Sequence, residues 1–319
     1  MIDRLKLRSL LMMGLLLLFG AAMAQDCERG DLDARYCDED GDMLADTPTD
    51  PADLLDPSTL VFTYAPTEDP AVYQNAFGEF LDHVTEITGR DVVYFPVESY
   101  AAQIEAMRAG RLHISGFAAG AVNDAVKSAG FIPAAMMADE NGESGYKMQI
   151  IVHPDSDIAG LDDLEGRQLA MVSPTSSSGY KAPAALLYDE LGVKPDEGYV
   201  TAFSGGHDNS VHGVVNGDYE AAAIASSVME RMIDRDVLAA DDVKIIYESQ
   251  VFPRTAYGYV YNLDPDLAAQ VEEAFLTFEW EGTALKEEFS DNDQFISVDY
   301  KRDWEVMRTI DEAAEALED

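Results

Sequence analysis

A chain of 319 residues with 61 acidic against 21 basic side chains carries a formal net charge of −40. Such a charge excludes nucleic acid and anionic membrane surfaces as partners, because both repel a polyanion. An apolar content of 47%, spread through periodic segments, equally excludes a disordered acidic chain, so the acidic excess is read as the surface of a protein from a salty habitat, solvated and screened by salt.

The chain begins with Arg4, Lys6 and Arg8 in a basic stretch, then an apolar run from Leu10 to Ala21, then the small-x-small pattern Ala22-Met23-Ala24. The run falls short of the about 20 residues that span a bilayer well. A signal peptide over 1–24, cleaved after Ala24, is expected, and with it export. Cys27 does not directly follow the cleavage pattern, which argues against a lipoprotein.

Residues 25–57 form a separate acidic segment, rich in Asp and Pro. It holds both cysteines, Cys27 and Cys37, which are expected to close a short disulfide loop in an oxidising compartment. Paired metal-ligand thiols are the alternative, with no second Cys or His pair nearby to complete a zinc site. Asp38, Asp40, Asp42 and Asp46 alternate around Gly41 as oxygen ligands of a hard cation would. The stretch resembles the aspartate-rich calcium loops of thrombospondin type 3 repeats and, more loosely, the start of an EF-hand loop. It lacks the bidentate Glu of a full EF-hand, so bound calcium and a plain solvated linker both stand as readings.

From Ser58 the pattern alternates. Leu60 to Tyr64 is a buried strand, and Tyr73 to Ile87 repeats apolar residues at helical spacing until Gly89. Asp91 to Phe95 is a strand, Tyr100 to Ala109 a helix, Leu112 to Ser115 a strand, and Tyr146 to Val152 a longer strand leading away. A second unit follows: strand 168–172, helix 180–190, strand 200–203, helix 208–216, strand 221–224 and a return strand 243–248. The strand 256–261 and the helix 265–278 then rejoin the first unit. Alternating strands and helices imply right-handed βαβ units and mostly parallel sheets. The expected architecture is α/β with two lobes and two crossing strands, lobe 1 from 58–152 and 249–319, lobe 2 from 153–248. A cleft between such lobes is the expected place for a ligand.

The most informative segment is Ser173-Pro174-Thr175-Ser176-Ser177-Ser178-Gly179-Tyr180, set between a strand and an apolar helix. An ordinary helix cap needs one hydroxyl. Hydroxyls in succession, with unpaired backbone N–H groups and a helix dipole, form an anion site that uses no lysine.

This turn belongs to an ordered set: Phe62-Thr63-Tyr64-Ala65-Pro66-Thr67-Glu68-Asp69-Pro70, Ser99-Tyr100-Ala101, Met107-Arg108-Ala109-Gly110-Arg111, Ser176-Ser177-Ser178-Gly179-Tyr180 and Ser204-Gly205-Gly206-His207-Asp208. From about Leu60 to Glu315 the chain resembles the periplasmic binding proteins of the phosphate/phosphite/phosphonate ABC transporter family. The resemblance implies a type II, Venus-flytrap fold and the secreted, periplasmic component of an ABC importer. Such a component, expected here as a monomer, captures a small tetrahedral oxyanion and delivers it to a permease in the inner membrane, with no cofactor. It further implies that Ser176, Ser177, Ser178 and His207 hold the oxyanion from one side and Tyr100 and Tyr146 from the other. Plainer roles compete: helix packing for Tyr100, hinge-strand core for Tyr146, a structural hydrogen bond for His207.

Departures narrow the ligand. Binders of aminoalkyl-phosphonates meet the ligand's ammonium with carboxylates, whereas this chain has Arg254-Thr255 in the corresponding segment and Ala225 where relatives often have Asp. The turn Ser115-Gly116-Phe117-Ala118-Ala119 is also less polar than the turns of relatives. A receptor of the same fold, reporting to a sensor kinase or chemoreceptor, is the nearest alternative. A hydrolase fits poorly, because His83, His113, His153, His207 and His212 make no metal-ligand spacing and the serines sit in no Gly-x-Ser-x-Gly elbow.

Overall fold

The structure is a computed structural model and describes residues 27–317; the signal peptide expected over 1–24 lies outside them. The chain builds β1 (Thr59–Tyr64), α1 (Pro70–Ala76), α2 (Gly78–Thr88), β2 (Asp91–Tyr94), α3 (Tyr100–Arg108), β3 (Ile114–Phe117), α4 (Ala119–Ala129) and β4 (Phe131–Ala138). It then crosses to β5 (Tyr146–Val152), β6 (Gln168–Met171), α5 (Ala182–Leu191), β7 (Val200–Phe203), α6 (His207–Asn216), β8 (Ala221–Ala225), α7 (Ser226–Asp234) and β9 (Lys244–Phe252). After a second crossing come β10 (Ala256–Val260), α8 (Pro265–Thr277), α9 (Ala284–Glu288), β11 (Gln294–Ser297), α10 (Tyr300–Asp303) and α11 (Glu305–Glu315).

These strands form one sheet per lobe, ordered β11-β4-β10-β3-β1-β2 and β7-β6-β8-β5-β9. In each sheet three neighbouring strands run parallel, β2-β1-β3 and β7-β6-β8, and the strands that cross between lobes join antiparallel. The carboxyl ends of the parallel strands and the helix N-termini that follow them face the cleft, which is where the site is built.

Several boundaries differ from the sequence reading. Tyr146–Val152, read as the end of lobe 1, pairs with β8 and β9 in the second sheet, and β9 runs on to Phe252. The crossings therefore fall at 139–145 and 253–255. Tyr73 to Ile87 is not one helix: Asp69 caps α1 by accepting from the Ala71 N–H, and α2 starts anew at Gly78 and ends on Gly89 at φ 67°. α4, β4 and β11 have no counterpart in the sequence reading. Pro133 obscures β4, because proline in a strand flanked on both sides breaks the ladder. The ladder accommodates it with a register shift at Tyr257/Gly258, where a β-carbon on Gly258 would overlap the Ile132 carbonyl.

The core of lobe 1 is aromatic. Phe62 lies 5.0 Å from Phe77 and 6.0 Å from Phe80, and Tyr64 lies 4.4 Å from Tyr73, in tilted and edge-on arrangements that add to area burial. The acidic N-terminal segment docks on this lobe. Cys27 and Cys37 are bonded, Asp33 N–H donates to the Lys127 carbonyl at 2.8 Å, and Tyr36 packs edge-on against Tyr261 at 4.9 Å. Among the described residues no helix is long and apolar enough to cross a membrane.

Candidate functional site

The hydroxyl turn leaves β6 and enters α5 through one wide helical turn, Ser177–Lys181. Ser176, Ser177 and Ser178 are all buried. Ser176 spends its oxygen on the cap, accepting from the Gly179 N–H at 3.1 Å, and keeps its hydroxyl proton to donate. Ser177 Oγ is buried and has no partner of hydrogen-bonding geometry. Gly179 is required because a β-carbon there would overlap Val172.

Two tyrosines face this turn. Tyr100 is the first residue of α3, whose cap Ser99 accepts from Ala102 N–H at 3.1 Å, and its buried hydroxyl also lacks a partner. Burial pushes the Tyr100 phenol far above its ordinary value. Burial likewise raises Tyr146 to about 12, with Ser178, Arg254 and Ser177 opposing the shift. Both rings therefore present neutral O–H groups at any ordinary pH.

His207 opens α6 and is buried. Its Nδ1 accepts from the Ala225 N–H at 3.0 Å, which places the proton on Nε2. Burial lowers its pKa to about 4, so the ring is a neutral N–H donor. The His207 backbone N–H donates across the cleft to the Thr67 carbonyl at 3.1 Å.

These six residues all line one cavity between the lobes, with a volume of about 50 Å³ measured to the centres of water-sized spheres. At about 10–15 Å³ per water on that measure, it has room for a cluster of three to five waters or one small anion. Sequence reasoning noted Ala225 and the 115–119 turn only for their low polarity and missed the helix starts they bring. Ala118, Ala119 and Gly120 bring the N-terminus of α4, which no side chain caps; Ala225, Ser227 and Val228 bring the uncapped N-terminus of α7. Helix starts without a side-chain cap, and their dipoles, attract an anion. The low polarity of the 115–119 turn was thus misleading, since backbone rather than side chain is presented. The available signal was a helix starting straight after a buried strand with no capping residue.

Arg231 and Arg254 also line the cavity. Arg231, from α7, is buried against Glu68 of the other lobe, with Nη2 at 2.6 Å from Oε1, and lies over the Phe289 ring at 5.2 Å. Arg235 also pairs with Glu68, and both arginines lie 3.6 Å from Glu288. Burial alone would raise the Glu68 carboxyl, but the two guanidiniums hold it below its ordinary value. Arg254 pairs with Asp291, yet its Nε is buried without a partner. No carboxylate is among the residues lining the cavity, so its charged groups are cationic and its hydroxyls are free to turn their protons to an anion.

The aspartate loop lies elsewhere. Ligand oxygens of Asp38, Asp40 and Asp42 come within 4.8 Å of one another, but each accepts a backbone N–H of its own loop, from Gly41, Met43, Asp42 and Leu44. Asp46 stands outside that group and accepts from the Glu39 N–H at 2.9 Å. Burial and the neighbouring carboxylates raise the Asp42 pKa.

Comparison with other proteins identifies the family. Residues 62–304 match the family described as ABC transporter, phosphonate, periplasmic substrate-binding protein. The "Phosphate-import protein PhnD" of Mycolicibacterium smegmatis is 28% identical over 271 residues, which is 80% of this chain and 82% of that protein. The "Phosphonates-binding periplasmic protein" of Escherichia coli is 21% identical, over 69% of this chain and 66% of that one. A binding protein component of an ABC phosphonate transporter from Pseudomonas aeruginosa superposes with a TM-score of 0.74 at 21% identity, over 82% of this chain and 88% of its own. PhnD1 from Prochlorococcus marinus, solved in complex with methylphosphonate, gives 0.71 at 18% identity, over 82% and 99%.

Proposed function

We propose, from the premise that the chain belongs to the family of periplasmic substrate-binding proteins of ABC phosphonate transporters, that it captures a small tetrahedral oxyanion between its lobes and hands it to a membrane permease. Phosphonate, phosphite and phosphate are the ligands in view. The observation that carries this reading is the composition of the cavity: hydroxyls, a neutral imidazole N–H and free helix N-termini from both lobes, with no carboxylate among them. Closing the lobes adds the second set of donors, so ligand favours the closed form by the free energy of contacting both sides at once.

The same lining supports a specificity. Met137, Val228 and Phe289 give the cavity an apolar wall that suits a P–H or P–CH₃ face. An aminoalkyl tail would bring an ammonium towards Arg231 and Arg254, with Glu68 already engaged by two arginines. Ligands without a cationic tail are therefore favoured. The reading includes export through a signal peptide cut after Ala24, a periplasmic working place, and an acidic surface suited to high salt. It requires no cofactor; calcium in the Asp38–Asp42 loop is a separate expectation, tested by calcium calorimetry on the wild type against Asp40→Ala.

Thermal unfolding with added oxyanion tests the function. A ligand that binds only the folded protein at 100 times its Kd stabilises it by about 2.7 kcal/mol. Phosphate, phosphite or methylphosphonate should raise Tm at high salt, and no shift with any of them would refute oxyanion capture.

A further inference from the structure

Lys181 ends the turn that carries Ser177 and Ser178, yet it is not among the residues lining the cavity. Its ammonium crosses to the other lobe instead. Nζ lies 3.0 Å from Asp311 Oδ1 on α11 and 3.4 Å from Asp124 Oδ2 on α4, and it donates to the Gly120 carbonyl at 3.3 Å. The pair is mostly shielded from water, with the Lys181 side chain 12% and the Asp311 side chain 8% exposed.

The receiving side is braced. Asp311 Oδ2 accepts from Asn123 Nδ2 at 2.5 Å, Asn123 Oδ1 accepts from the Tyr300 hydroxyl at 2.9 Å, and Trp304 Nε1 donates to the Ala119 carbonyl at 3.1 Å. α10 and α11 are thereby fixed to α4, the helix whose uncapped N-terminus faces the anion site, and α11 packs on α5 and the serine turn as well. Through Asp124 and Gly120, Lys181 joins the serine turn of one lobe to α4 of the other.

We infer that Lys181, with Asp311 and Asp124, is a closure clasp: a positioning residue that sets ligand affinity by stabilising the closed form without touching the ligand. In a chain of net charge −40, self-repulsion favours opening, and a cation shared by carboxylates across the cleft offsets it. Opening must separate Lys181 from Asp124 and Gly120, and water then solvates each charge. Removing the lysine leaves Asp311 and Asp124 without the cation they share, a repulsion that opening relieves by drawing Asp124 away. Apparent affinity scales with the fraction of protein that is binding-competent. The loss is therefore the same factor for every ligand, whereas a residue in the cavity changes the ratios between ligands. Arg231 and Arg235 also bridge the lobes through Glu68, but Arg231 lines the cavity and shares that carboxylate, so a change in that group mixes closure with contact, whereas a change at Lys181 does not.

The clasp rests on the reading that ligand binds in this cleft, and the experiment keeps the two apart. Small-angle X-ray scattering of ligand-free wild type, Lys181→Met and Asp124→Ala reads closure without any ligand; calorimetry with phosphate, phosphite and methylphosphonate then reads affinity. Lys181→Met should enlarge the ligand-free radius of gyration and weaken every ligand about tenfold or more, ratios preserved. Asp124→Ala, at the exposed rim, should do the same to a smaller extent, and it decides the matter if the lysine variant does not fold. Unchanged scattering in the variants, or a loss confined to one ligand, overturns the clasp; a wild type that binds no oxyanion overturns the functional reading instead.

Discussion

Gly120 on α4 and Ser177 on the hydroxyl turn meet across the cleft so closely that a β-carbon at position 120 would overlap both the Ser177 Oγ and its backbone nitrogen. One hydrogen-bonding turn and one helix N-terminus thus share a single small space, and only glycine lets them close on it.

Gly120→Ala should accordingly hold the lobes ajar. We expect ligand affinity to fall at least tenfold, about 1.4 kcal/mol, and the contraction on ligand addition seen by small-angle scattering to diminish. The substitution lies in the first turn of a helix, where alanine is favoured, so the fold should be retained. An unchanged Kd would mean that this approach is no part of the bound state.

Ser177 Oγ and Tyr100 Oη are buried without partners, which costs stability unless a ligand uses them. A hydrogen bond to a charged group contributes about 1.5–3 kcal/mol. Ser177→Ala and Tyr100→Phe should each weaken oxyanion binding by roughly 10- to 100-fold, while the ligand-free protein is equally or more stable. Calorimetry paired with denaturant unfolding checks both halves.

His207 gives a pH signature. Its folded pKa of about 4 lies below the ordinary value of 6.5, so between those values the unfolded chain binds the proton and the folded chain does not. Stability therefore rises with pH from about 4 to 6.5 on account of this residue and is fully present above 6.5. His207→Gln should flatten that part of the profile relative to wild type. A variant with the same slope would show that another group carries it.

The local features were legible. A run of hydroxyls between a strand and a helix announces itself within eight residues, and Gly89 or the α6 start at His207 needs only its neighbours to be recognised. What stayed hidden depends on distance or on backbone. Arg231 looks like one charge on an amphipathic helix until it meets Glu68, 163 residues away. The α4 N-terminus contributes N–H groups that no side chain advertises. Pro133 in the middle of β4 masks a strand that a bulge opposite Gly258 makes workable. The crossings between lobes were misplaced because β5 and β9 carry similar apolar content on either side of the junction, and only pairing shows which sheet owns them.

The Cys27–Cys37 bond closes a short loop in a segment that docks on lobe 1 away from the cavity. The two cysteines are 10 residues apart, and a loop that short contributes somewhat less than the ~3 kcal/mol of a loop of about 15 residues in the chain-entropy account. The double Cys27→Ser, Cys37→Ser variant should lose stability by up to that order while keeping its oxyanion Kd within about threefold. A large loss of affinity would tie the N-terminal segment to the cleft.

Calorimetry with phosphate, phosphite, methylphosphonate and 2-aminoethylphosphonate, at high salt to screen the acidic surface, tests the carboxylate-free cavity most directly. The account predicts that the ligands without a cationic tail bind and that the aminoalkyl compound binds much more weakly, because no free carboxylate lines the site to receive its ammonium. Tight binding of 2-aminoethylphosphonate alone would contradict it.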